Sequence, residues 1–205
     1  MAITNYSELK TAVVDWADRA DISTARIEDF IYLAEADASQ LLRVPAMEHQ
    51  ELLVVADGRV TIPFDYLELR RLTWQGDTEK VLQYMSWDNF VDVNNDVNDP
   101  NNVLYFSRQG PSWWLAKDVG DGEEILCHYY RFVPALTDTD DTNWLLSISP
   151  QAYLFGALRY LYEFTMDNER AAYWDAKFKA ELGKLQGIAD QAEYRGSTIV
   201  VRPVN

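Results

Sequence analysis

Cys127 and His128 are the one place in this 205-residue chain where a thiol and an imidazole are neighbours, the pairing that nucleophilic catalysis asks for. They fall within residues 124–132, a run whose composition predicts a strand. Adjacent strand side chains point to opposite faces, so the two groups cannot share a proton, and a buried Cys beside a surface His is expected. His49, beside Glu48 and near Glu51, is isolated, and two His in the whole chain are too few for a His-rich metal site. Asp138, Asp140 and Asp141 suggest calcium, as does Asp96-Val97-Asn98-Asp99. Both lack the glycine at loop position six and the glutamate at position twelve that a helix–loop–helix calcium site requires, so solvated loop charge is the expectation. Asp121 and Glu124 have the residue types for glycoside hydrolysis, with Trp113 and Trp114 as a sugar platform. That chemistry depends on carboxylate separation and pKa, and neighbouring tryptophans on a strand face opposite ways. No Gly-rich phosphate loop, nucleophile elbow or zinc spacing occurs. The expectation is therefore no catalytic residue, no metal, no cofactor and no enzymatic activity.

The elements that would position these groups follow from periodicity. Asn5 with Glu8 three residues on reads as an N-cap and its reciprocal partner, and Leu9, Val13 and Trp16 recur at helical spacing over residues 6–18. Ser23 or Thr24 caps a second helix whose stripe is Ile27, Phe30, Ile31, Ala34, Ala38, Leu41 and Leu42, and Pro45 stops it. The period then changes. Residues 52–55 and 60–62 around Asp57-Gly58 predict a hairpin, and residues 67–74 and 81–84 around Gln75-Gly76 a second, although 67–71 fit a helix equally well. Residues 86–90 look like a capped single turn, and the polar run 94–102 like a loop. Residues 103–107, 112–116 and 124–132 suggest an antiparallel meander.

The C-terminal third has the clearest helix signals. Asn143 caps a short turn at 144–146, and Ser149-Pro150 is a cap followed by proline at the first helical position, where its missing N–H costs nothing. That helix runs to about residue 165, lined by Tyr153, Ala157, Tyr160, Leu161 and Phe164. Asn168 opens a longer one carrying Ala171, Trp174, Phe178, Leu182, Leu185 and Ala189 at three- and four-residue steps. After Gly196 come Ser197-Thr198-Ile199-Val200-Val201-Arg202-Pro203-Val204-Asn205. This short β-prone run either adds an edge strand to its own sheet or reaches another subunit. The fold class is α+β: a four-helix cluster from residues 1–45 and 143–195, an inserted and mostly antiparallel β module at 46–142 with acidic loops, and an extension at 196–205.

Composition limits the function classes. The formal net charge of -15 argues against wrapping duplex nucleic acid, whose phosphates are held by Lys and Arg, and favours solubility and repulsion between copies. A lone cysteine cannot form an intrachain disulfide, which fits synthesis in a reducing cytoplasm. The first residues lack the basic start and apolar run of a signal peptide, and no apolar segment approaches the ~20 residues needed to span a bilayer. A protein soluble when made, without a membrane partner, is expected.

Several stretches then carry a family resemblance. They are Asp15-Trp16 and Arg19-Ala20-Asp21, residues 30–35 with Leu41-Leu42-Arg43, Tyr66-Leu67-Glu68-Leu69-Arg70, Leu136-Thr137-Asp138, and Thr142-Asn143-Trp144-Leu145-Leu146 with Pro150. Tyr153-Leu154-Phe155-Gly156-Ala157-Leu158, Asn168-Glu169-Arg170-Ala171-Ala172-Tyr173-Trp174, Arg195-Gly196-Ser197 and Val201-Arg202-Pro203 complete the set. In order and spacing the chain resembles the head–tail adaptors of short-tailed bacteriophages, including the tail accessory and tail tubular A-like proteins beneath the portal. The acidic run 94–102 has no counterpart in it.

The resemblance implies a virion protein made in the host cytoplasm, located at the head–tail junction, and involved in head completion. Its partners would be the portal protein, a tail nozzle or other tail proteins, and further copies in a ring, twelve by family analogy. DNA would pass through the channel without specific binding. Under this reading Trp174, Phe178 and Tyr194 face neighbouring subunits, while Arg195, Ile199, Val200, Val201 and Arg202 grip the portal or the next copy. The alternatives are a sugar hydrolase acting through the β module and a protein-interaction module unconnected with phage.

Overall fold

The computed structural model describes residues 2–76, 78–95, 104–115 and 119–194, and the chain divides into two compact units. The first holds the chain up to Met47 and again from Phe132; the second is Glu48–Arg131. In chain order the elements are α1 (Tyr6–Ala17), α2 (Thr24–Leu41), β1 (Glu48–Val54), β2 (Arg59–Thr61), β3 (Tyr66–Trp74), β4 (Lys80–Val81), β5 (Gln83–Tyr84) and α3 (Trp87–Asn95). They continue with β6 (Tyr105–Gln109), β7 (Ser112–Leu115), β8 (Glu124–Arg131), α4 (Trp144–Ile148), α5 (Pro150–Phe164) and α6 (Asn168–Tyr194). The fold is α+β.

In the helical unit α5 is central. Ala152, Tyr153, Leu154, Ala157, Leu158, Leu161 and Tyr162 are all buried, so its apolar surface extends around most of the helix, and α1, α2, α4 and α6 pack on it. Such a helix is stable only when neighbours cover every side. Contacts between α5 and α6 run in opposite directions along the two helices. The Arg170 guanidinium lies over the Tyr162 ring, Arg159 pairs with Asp175, and Ser149 donates to Glu181 at 2.9 Å, which makes the pair antiparallel. The turn between them uses Met166 at φ 59 and Asp167, whose Oδ1 accepts the Arg170 N–H; the cap falls one residue before Asn168. At Gly156 α5 approaches α2 and α6 closely, since a Cβ there would lie 2.6 Å from that of Ala34 and 3.1 Å from the Phe178 ring.

Local signals are accurate at the ends of α1. Asn5 Oδ1 accepts the Glu8 N–H at 2.9 Å, but the Glu8 carboxylate reaches Thr4 rather than Asn5, taking its N–H and hydroxyl at 2.7 Å each. Asp18 closes the helix in the left-handed region at φ 52. Ser23 starts α2 without a side-chain cap bond. Two residues expected to be apolar-facing point outward: Trp16 and Leu41 are each 56% exposed, and Leu42 takes the buried place.

The β unit departs from the predicted hairpins. The Asp57-Gly58 turn forms, with φ of 53 and 67, but its strands do not pair with each other beyond the Ala56–Arg59 bridge. Instead β1 pairs along its length with β8, and β2 pairs with β7, so the turn is a corner between two sheets of order β1-β8-β3-β4 and β2-β7-β6-β5. The physical reason is a shared core. Val55 and Val60 on either side of the turn are buried with Leu72, Ile125, Cys127 and Tyr129 from one sheet and Phe106, Trp113 and Leu115 from the other. The second predicted hairpin splits likewise. β3 pairs with β4, while β5 crosses over and joins β6 in the one parallel pairing among the described strands. Residues 87–90, expected as part of a single turn, open the nine-residue α3, and residues 96–103 lie outside the described residues.

Substituting Gly156 with Ala should lower unfolding stability by ~1–2 kcal/mol, because overpacking outweighs the helix preference of Ala. Gly183→Ala meets nothing within 4 Å and should raise stability by about 0.5–1 kcal/mol. Urea unfolding of the two variants beside the parent chain checks both signs.

Candidate functional site

The largest aromatic grouping on the helical unit joins three helices. Trp16 of α1, Phe155 of α5 and Trp174 of α6 have ring centroids 5.4–6.4 Å apart, and Tyr173 sits edge-on to Trp174 at 5.0 Å. Trp16 and Tyr173 are 56% and 55% exposed, and Phe155 and Trp174 are half-buried. Beside them a groove of about 480 Å³ runs between α1 and the start of α5, lined by Ile3, Ala12, Asp15, Trp16, Leu154 and Phe155. Clustered aromatic rings that keep water-exposed faces are the composition of a protein–protein contact. Trp16 and Phe155 do not stand out in the sequence, because a tryptophan at helical spacing reads as core until its face is known.

Phe178, expected to face a neighbouring subunit, is 1% exposed and packs against Gly156 in the core of its own unit. Its ring is turned onto α5 at Gly156, so it is not available at the surface. Tyr194 is the last residue of α6. Arg195, Ile199, Val200, Val201 and Arg202 lie outside the described residues.

A buried polar node positions the segment that enters the helical unit from Phe132. Glu35 is 5% exposed, and its Oε2 accepts the Tyr153 hydroxyl at 2.7 Å and the Leu136 N–H at 3.1 Å. Asn143 donates from Nδ2 to the Tyr153 oxygen at 2.6 Å and to the Pro134 carbonyl at 2.7 Å, while its Oδ1 caps α4 by accepting from Leu146 N. One turn along α2, Ser39 Oγ accepts the Val133 N–H at 3.0 Å. Residues 132–142, expected with the β module, therefore pack with the helices. Burial pushes the Glu35 carboxyl up to about 7, against the pull of its two donors. Sequence could have flagged it: Glu35 lies four residues after Ile31 and three before Ala38, within the apolar stripe of α2.

The residues considered for catalysis are separated or already engaged. Cys127 is fully buried, with its thiol pushed up to about 12 by burial and then by the Glu51 charge, and His128 lies on the opposite face of β8. His49 packs edge-on against Tyr129 at 5.5 Å. His49 and His128 line one cleft of about 270 Å³ with Arg70 and Glu48, which form an ion pair there. Asp121 accepts the Gly58 N–H at 3.0 Å and so holds the sheet corner. Glu124 opens β8 opposite Val54. Trp113 is 1% exposed, which removes it as a sugar platform, and Trp114 is half-buried between Trp87 and the Arg59 guanidinium. Asp138 pairs with Lys10 at 2.9 Å, and the Asp141 carbonyl accepts the Tyr6 N–H at 2.7 Å. Among the described residues no group of three or more His, Cys, Asp or Glu could hold a metal ion, and no helix is long and apolar enough to cross a membrane.

The helical unit of this α+β chain thus carries an exposed aromatic face suited to contact with another protein. The family model of the SU10 adaptor protein matches residues 4–202, and the chain belongs to that family. It is a phage adaptor, a structural component of the virion that interacts with other virion proteins, in keeping with the head–tail adaptor resemblance. No curated protein gives a match.

The Glu35 node makes stability depend on pH. Its folded pKa of about 7 exceeds the ordinary value of 4.5, so its contribution is complete below pH 4.5 and is lost as pH rises through 7. Relative to Glu35→Gln, the parent chain should lose on the order of 2 kcal/mol between pH 5 and 8, read from chemical unfolding at each pH. Asn143→Ala removes the α4 cap and two buried bonds, and should cost about 2–3 kcal/mol in the same assay.

Proposed function

We propose that the chain is the subunit of a ring, twelve copies by analogy with the head–tail adaptors, that docks beneath the portal and joins the phage head to the tail. The observation that carries this is the match to an adaptor family across residues 4–202, which takes in both compact units and most of the extension. The aromatic face of Trp16, Phe155, Tyr173 and Trp174 supports it, because a ring subunit must present apolar surface to a neighbour without losing solubility. In this reading α5 and α6 form the ring wall, and Trp174 meets the next copy through Tyr173 and Trp16 rather than through Phe178. The extension from Gly196 makes the assembly contact. The net charge of -15 disfavours retention of phosphate, so DNA can traverse the channel without sticking. Contact with a tail nozzle or other tail proteins on the far side of the ring follows from the same placement.

Electron microscopy of the chain mixed with the portal of its own phage tests this; the expected outcome is a ring seated on the portal, and persistently separate particles would overturn it. Removing residues 197–205 should leave the unfolding midpoint unchanged while abolishing portal-bound assembly.

A further inference from the structure

Strand β1 presents the longest free sheet edge among the described residues. It pairs with β8 on one side only, and it is seven residues long, whereas the other outer strands, β4, β2 and β5, have two or three. The direction of its free groups can be read from its end. Val55 donates to the Glu123 carbonyl and its own carbonyl accepts from Gly122, each at 2.9 Å, so Val55 turns its backbone toward the β8 side. Antiparallel pairing alternates along a strand, and the register from Glu48 to Val54 is unbroken, so Gln50, Leu52 and Val54 turn their N–H and C=O groups outward. Leu52 and Val54 are also 53% and 61% exposed on one face. A long edge with exposed apolar side chains is a template for another strand.

We propose that Ile199-Val200-Val201-Arg202 of a neighbouring copy adds to β1 as an antiparallel strand, with Ile199 opposite Val54, Val200 opposite Leu53, Val201 opposite Leu52 and Arg202 opposite Glu51. Among antiparallel registers this one alone sets three apolar residues against three and the arginine against a carboxylate. It places Ile199 and Val201 beside Val54 and Leu52 on the exposed face, and it uses the outward backbone groups of Leu52 and Val54. The next position sets Pro203 opposite Gln50, where an N–H is needed and proline has none, so the ladder stops there. A tail on one copy meeting an edge on the next joins two different surfaces, the kind of contact that closes a ring when its rotation divides a full turn. The inference rests on the ring reading and names the surface that receives the extension.

Disulfide trapping tests it, because Cys127 is the only native cysteine and is fully buried. Two singly substituted full-length chains, Leu52→Cys and Val201→Cys, are mixed with the portal, allowed to assemble and mildly oxidised. The covalent heterodimer should exceed that from Val81→Cys with Val201→Cys by at least about tenfold, because docking raises the local thiol concentration; Val81 is 51% exposed and sits on β4, at the opposite edge of the same sheet. Equal yields in an assembly that forms overturn the strand pairing while leaving the ring reading intact. A doubly substituted Leu52→Cys, Val201→Cys chain that closes only within itself overturns the neighbour-copy assignment. Failure to form any assembly overturns both readings.

Discussion

A carboxylate that is only 5% exposed must find donors or give up its charge, and Glu35 finds them in distant parts of the chain. Leu136 N and the Tyr153 hydroxyl reach it from 101 and 118 residues along the sequence. Through Tyr153 the node extends to Asn143, which in turn holds the Pro134 carbonyl and starts α4. The segment returning from the β unit is thus fixed to α2 and α5 by buried hydrogen bonds, and α4 and α5 begin from that fixed point. Every helix that builds the aromatic face packs on α5, so the face depends on this registration as well as on apolar burial.

The aromatic face is a consequence of how completely α5 is buried. Its other sides are taken by α2 and α6, with Gly156 allowing the approach of Ala34 and Phe178, and Phe155 is left at the rim with Trp16 and Trp174. Charged residues on the same helices reach the rim of the face, where Lys177 lies over the Tyr173 ring, and pair with one another beyond it. Arg159 is shared among Asp37, Glu163 and Asp175, which joins three helices in one ionic cluster and takes up carboxylates that would otherwise repel one another. The net charge of -15 makes copies of the chain repel one another, and the aromatic face sets apolar surface on an otherwise acidic protein.

The sequence by itself determined the long helices and most of their starts, because caps, proline at the first helical turn and 3.6-residue periodicity are local signals. Asn5, Asn143 and Ser149-Pro150 mark helix starts in the structure, and Cys127 is buried with His128 opposite, as strand alternation requires. The order and spacing of short stretches also sufficed for the adaptor family. Only the tertiary structure decided that the Asp57-Gly58 turn is a corner between two sheets, that Phe178 is core while Trp16 is surface, and that Glu35 anchors residues 132–136. Each of these depends on contacts between residues far apart in the chain. Periodicity shows that a face is apolar, but which partner covers it, and what is left over for a neighbouring molecule, is settled only when all the elements compete for the same core.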